Sequence, residues 1–236
     1  MLDTFVRFCQ TAGQRLLCVP EDGEEDRELA VPIAHRLNPG AGAEGIAMLR
    51  ELLGDAAEDF AACYARFDGA ALFVDERSGK PVIDLAPVER WDDLTDQFRG
   101  VLEDLDVFTD DDDEDEDEAL FGEDADQEEF DDEDYEPEDE SELPDWVESA
   151  VAIGEVAPSG SLFLVATEGE HCGNIYLFDL DLGAPELFAT CFTEFLARIV
   201  YADAPRMLRY LTTEFEFDES APPSYWVPRR LIAPGR

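Results

Sequence analysis

Forty residues near the middle of this 236-residue chain, Glu103 to Glu142, hold 26 carboxylates and no cation. Nine of these acids are consecutive, Asp110 through Glu118. Neighbouring like charges repel, and the few aromatics among them (Phe108, Phe121, Phe130 and Tyr135) recur at no fixed period. Burying so little apolar surface does not offset the entropy of ordering the segment. It is therefore expected to be a disordered acidic insertion, residues 103–142, that any fold must accommodate. The segment supplies −26 of a net −44. No Lys or Arg lies between Arg99 and Arg198, so the centre of the chain brings no cations of its own to neutralise it.

The charge balance narrows the partners. A nucleic-acid interface replaces phosphate counterions with Lys and Arg, and 16 basic against 60 acidic residues argue against one. The same sign argues against an anionic membrane surface. With two histidines, His35 and His171, and one lysine, Lys80, there is little material for a His dyad, a zinc cluster or a phosphate-binding lysine. The five cysteines are widely spaced with no C-x-x-C, which fits neither a disulfide framework nor a zinc site. The run Asp110–Glu118 lacks the central Gly and spaced ligands of a calcium loop. No cofactor and no metal are expected. Neither a secretory leader nor an apolar run of membrane length is visible, so a cytoplasmic protein is expected.

Periodicity supplies the elements. Leu2, Phe5, Val6 and Cys9 fall on one helical face, as do Ile46, Leu49 and Leu53, and then Phe60, Cys63, Tyr64 and Phe67. The third helix is expected to end at Asp68-Gly69. Glu21–Pro39 reads as mostly irregular. Ala70–Asp75 and Val82–Leu85 read as two strands joined by a turn. A helix capped by Asp92 or Asp93 carries Leu94, Phe98 and Val101 into the acidic segment. Beyond it, Ala150–Val156, Ser161–Thr167 and Asn174–Asp179 read as strands, with Glu186–Ala189 as a short fourth. A helix over Phe192, Phe195, Leu196 and Ile199 takes Thr190 as its N-cap, and Asp203 opens another. Residues 221–236, with Pro222, Pro223, Pro228 and Pro234, read as an extended tail. Strands on both sides of the acids point to one α+β domain, a central, mostly antiparallel sheet flanked by helices, rather than two domains on a linker.

Two ordered stretches carry a family resemblance. The first is Asp59-Phe60-Ala61-Ala62-Cys63-Tyr64-Ala65-Arg66-Phe67-Asp68-Gly69-Ala70-Ala71-Leu72-Phe73. The second comprises Ile153-Gly154-Glu155, Ser159-Gly160-Ser161-Leu162-Phe163, Gly173-Asn174-Ile175-Tyr176-Leu177-Phe178-Asp179-Leu180-Asp181 and Phe192-Thr193-Glu194-Phe195-Leu196. In order and spacing, over about residues 59–200, they resemble the SUKH superfamily, which includes the Smi/Knr cell-wall-synthesis regulator and bacterial toxin-immunity proteins. Ser161 stands where the family often has an acid, and Leu180-Asp181 where it often has His-Asp. The resemblance implies a SUKH-like fold and a non-enzymatic module that grips another protein, in its sharpest form an immunity protein that caps a toxin.

A strongly acidic protein suits a partner with a basic surface, since opposite charge speeds association. Candidate partner-binding residues are Asp110, Asp111, Asp112, Asp113, Glu114 and Asp115 in the acid run, Asp179 and Asp181, and the aromatic pair Tyr225-Trp226. Each has a plainer reading. The acid run can be a solubilising loop. Asp179 and Asp181, two apart, can end a strand beside a turn. Tyr225-Trp226 can seal the domain. A housekeeping adaptor whose acidic loop recruits basic partners is the alternative. An enzyme built on Asp179, Asp181 and His171 is a third reading, and it requires those side chains to converge.

Overall fold

The computed structural model describes residues 1–20, 29–109, 143–156, 160–180, 183–201, 213–215 and 224–232. Among the described residues there are five α-helices: α1 (Leu2–Cys9), α2 (Ala43–Leu53), α3 (Ala57–Tyr64), α4 (Trp91–Thr109) and α5 (Phe192–Tyr201). The strands are β1 (Gln14–Pro20), β2 (Leu29–Leu37), β3 (Ala70–Asp75), β4 (Ile83–Leu85), β5 (Val151–Val156), β6 (Leu162–Val165), β7 (Ile175–Asp179), β8 (Ala184–Ala189), β9 (Thr213–Phe215) and β10 (Ser224–Ile232). All ten join one sheet in the order β8-β7-β6-β5-β4-β3-β2-β1-β10-β9. Every neighbouring pair is antiparallel. The architecture is α+β, as the order of periodicities implies.

The acid-rich segment lies between two adjacent strands. Ile83, Asp84 and Leu85 of β4 pair with Val156, Glu155 and Gly154 of β5. The chain before and after the acids therefore shares one sheet.

Antiparallel sheets commonly leave one face to water. Here β6 is buried at every residue and β7 at all but its last. Register explains why the apolar run Leu162–Val165 does not alternate. Phe163 pairs with Leu177 and Leu162 with Phe178, so Phe163 and Phe178 point to opposite faces. Phe195 of α5 meets Phe163 edge-on at 5.1 Å, and Phe98 of α4 meets Phe178 at 5.0 Å. Helices thus cover both faces of this part of the sheet.

Several expectations need correction. Within the stretch expected to be mostly irregular, the described residues Leu29–Leu37 form β2 between β1 and β3. Strand β1 lies outside the elements expected from periodicity. Helix α3 ends at Tyr64, four residues before Asp68; Phe67 is buried from the turn that follows. Helix α4 starts at Trp91 after a single 3₁₀ turn, which places Asp92 and Asp93 in its first turn rather than at its cap. It also continues to Thr109, past the expected start of the insertion at Glu103. The N-cap of α5 is Cys191 rather than Thr190. Its sulfur accepts the Glu194 N–H at 3.4 Å, while the Glu194 carboxylate reaches back to the N–H and hydroxyl of Thr190. The extended 221–236 segment contributes β10, flanked by β1 and β9. Pro228 sits where that pairing shifts register, the position at which a strand tolerates a missing N–H. The helix expected from Asp203 and the acid run 110–142 lie outside the described residues.

Candidate functional site

The two anchorages of the acid-rich segment are built differently. On the outgoing side, β4 is short and leaves the N–H of Ala152 without a strand partner. The hydroxyl of Thr95 on α4 accepts it at 3.0 Å. On the returning side, Pro144 opens a 3₁₀ turn over Asp145–Val147. Its Trp146 ring lies almost flat on Tyr176 of β7, with centroids 4.0 Å apart. The Tyr176 hydroxyl stands 3.0 Å from Nδ1 of His171 and accepts from the Asn174 amide at 3.4 Å. Ser149 donates to the Trp146 carbonyl, and Thr167 donates to the carbonyl of Ser149. The returning chain is thus held by one large stacked ring, largely desolvated, with its polar neighbours paired.

The sequence candidates scatter around this frame. Asp110, Asp111, Asp112, Asp113, Glu114, Asp115 and Asp181 lie outside the described residues. Asp179 is half-buried at the end of β7, opposite Ala184, and its carbonyl accepts the Gly183 N–H at 2.9 Å. His171 precedes the other end of that strand. The His171 ring lies at the Tyr176 hydroxyl, and Tyr176 and Asp179, three apart on β7, point to opposite faces, so His171 and Asp179 do not converge. Cys172, beside His171, turns its thiol to the Thr167 carbonyl instead. Tyr225 and Trp226 lie in β10, in register with Glu214 and Thr213 of β9, and Trp226 is also opposite Pro20 of β1. Burial pushes the thiols of Cys9 and Cys18 up to about 12 and that of Cys63 to about 11. These three act as small apolar residues. Among the described residues, no group of three or more His, Cys, Asp or Glu side chains is placed to hold a metal. No helix among them is long and apolar enough to cross a membrane.

The glycines of the family-like stretches have structural reasons. Gly69 has φ 83°, and a Cβ there would sit 2.4 Å from the Leu85 carbonyl oxygen. Its neighbour Asp68 accepts the Val88 N–H at 2.9 Å, capping the 3₁₀ turn before α4. A Cβ on Gly154 would come 2.5 Å from the Asp84 carbonyl oxygen, so β5 needs glycine to lie against β4 at its register shift. These motifs position strands and leave little room for side chains.

One polar constellation escaped the sequence reading. His35 of β2 lies opposite a bulge in β3: Ala34 pairs with Val74 and Arg36 with Ala71, leaving Leu72 and Phe73 against one residue. Phe73 adopts φ 52°, a conformation normally left to glycine and the sole positive φ at a non-glycine residue among the described residues. Its N–H donates to His35 Nδ1 at 3.2 Å. The other ring nitrogen lies 2.7 Å from the Gln14 side-chain oxygen, and the Gln14 amide donates to the Phe8 carbonyl at 3.1 Å. The Phe8 ring packs on the imidazole, centroids 4.7 Å apart. Burial pulls the imidazole down to about 4. A signal for it existed. Val31, Ile33 and His35 alternate along β2, and the first two are core residues, which puts the histidine on the inward face.

No protein-family model matches this chain, and no curated protein matches it.

Proposed function

We propose that this protein is a non-enzymatic binding module that presents its acid-rich segment to a partner protein with a basic surface. In its sharpest form it neutralises a toxin by covering a cationic cleft. The observation that carries the reading is the concentration of charge, 26 carboxylates in forty residues with no cation among them. The anchorages support it. Helix α4 and the stacked Trp146 tie both ends of the segment to the part of the sheet that helices cover on both faces. The SUKH resemblance is consistent with it, since that family grips proteins. A polyanion of this density also suits a cleft shaped for phosphates.

The test is affinity capture on two full-length chains. One is unaltered, and in the other the Asp and Glu of residues 110–142 become Asn and Gln, which leaves α4 whole. A single stoichiometric partner is expected. Calorimetry on that purified partner is expected to give an affinity that drops at least tenfold when the acids are neutralised, and that weakens with salt. Several weak basic partners that all vanish in salt would remove the dedicated-binder reading and leave the adaptor.

A further inference from the structure

We propose that His35 is an acid-sensitive clasp whose neutral ring fixes the Phe73 bulge and seats α1, and whose second proton releases both. Hydrogen-bond chemistry alone defines the state of the ring. The Phe73 N–H can only donate, so Nδ1 must carry a lone pair. The Gln14 amide nitrogen is committed to the Phe8 carbonyl, so its oxygen faces the ring and Nε2 must carry the proton. A doubly protonated ring would still donate to Gln14, but it would set N–H against N–H at Phe73. The bulge would then lose the acceptor that holds a bulky residue at φ 52°.

Three bonds in series link four elements: β3 to the imidazole on β2, the imidazole to the amide on β1, and the amide to the last turn of α1. The imidazole also touches rings from α1 and β3, Phe8 at 4.7 Å and Phe73 edge-on at 5.0 Å, and these two rings meet each other at 6.3 Å. A change in its charge is therefore felt at the bulge and at the helix together.

The charged groups on the surrounding elements are engaged elsewhere or face solvent. On α1, Asp3 pairs with Arg66, and Arg7 donates to the Asp3 carbonyl. On β3, Asp75 accepts the N–H groups of Arg77 and Ser78. Arg15 on β1 and Arg36 on β2 are exposed. The buried thiols Cys9 and Cys18, on α1 and β1, stay protonated. Burial therefore favours the neutral ring, and acid is the stimulus that opposes it.

Nuclear magnetic resonance on the full chain tests the clasp. Imidazole nitrogen shifts should report the Nε2–H tautomer at neutral pH and a second proton only well below pH 6. Intrinsic chemistry-corrected exchange at the Phe73 amide should lose at least tenfold of its protection as the ring titrates. The amides of Leu164 and Val165 serve as an internal control for the general effect of acid on a polyanion. In His35→Gln, which can both accept and donate but does not titrate, the selective loss should vanish. If that variant does not fold, the unaltered chain still decides the matter. A ring that takes its second proton near pH 6.5, or one that titrates while Phe73 and α1 keep their protection relative to the control amides, would overturn the proposal.

Discussion

The two flanks of the sheet are held by different forces. From β5 to β7 the strands are buried almost residue after residue, and aromatic side chains from helices on both faces close over them. From β1 to β3 the interior instead contains Gln14, Asp75 and the half-buried His35, next to a strained Phe73. Apolar burial is non-directional and scales with area, so the first flank depends on volume. Hydrogen bonds are directional, and an unpaired buried donor is costly, so the second depends on individual atoms and on their protonation. One continuous sheet therefore joins a flank held mainly by apolar area to a flank held by hydrogen bonds that a single proton can change.

The strongest way to break the comparison is to empty the apolar flank. Phe163 is 1% exposed and touches both Phe188 and Phe195. Phe163→Ala is expected to cost about 3–5 kcal/mol in denaturant unfolding, with little change between neutral and acid pH. The next effect belongs to the polar flank. The His35 pKa falls from 6.5 when unfolded to about 4 in the fold, so the fold binds fewer protons than the unfolded chain. That contribution is fully present above pH 6.5 and is lost as pH falls toward 4, up to about 3 kcal/mol. Unfolding curves at neutral pH and near the folded pKa, for two chains with the acids of residues 110–142 neutralised, one keeping His35 and the other carrying His35→Gln, isolate it. An equal acid loss in the two chains would refute the assignment. The smallest effect is on the surface. Arg66 pairs with Asp3, both being largely exposed, and Arg66→Ala is expected to leave stability almost unchanged, with any small loss shrinking in high salt. A larger loss would mean that α1 is held from outside rather than through Gln14.

The same contrast explains what could be read from the sequence. Elements of the apolar flank announce themselves: Phe192, Phe195, Leu196 and Ile199 mark α5, and the run after Gly160 marks β6. Helix α1 and the strands at Ala70–Asp75 and Ile83–Leu85 were equally legible. The polar flank was not. Strand β2 carries Pro32, His35 and Arg36, and its inward alternation ends on a histidine instead of an aliphatic residue, so its stretch looked irregular. Strand β1 packs Leu16, Leu17 and Cys18 consecutively, all buried, which no period of two reveals. The anchorage was half visible. Trp146 marked the return to folded chain, but its stacking on Tyr176 depends on register between strands thirty residues away, which local pattern cannot supply. The fold's capping chemistry was also misplaced by one residue at α5, because a cysteine sulfur took the role that composition assigns to threonine.

The place of β10 in the strand order has a consequence for how the molecule is made. Arg15 of β1 pairs with Ile232 of β10, and the bonds between these strands close a loop of about two hundred residues that contains nearly all the other elements. During synthesis, β1 can pair with β2 soon after both emerge, but its second edge stays open until Ser224–Ile232 has left the ribosome. A nascent chain paused before Ser224 therefore exposes a ready-made docking edge beside β1, and chaperones would be drawn to this N-terminal strand long after the apolar flank has closed.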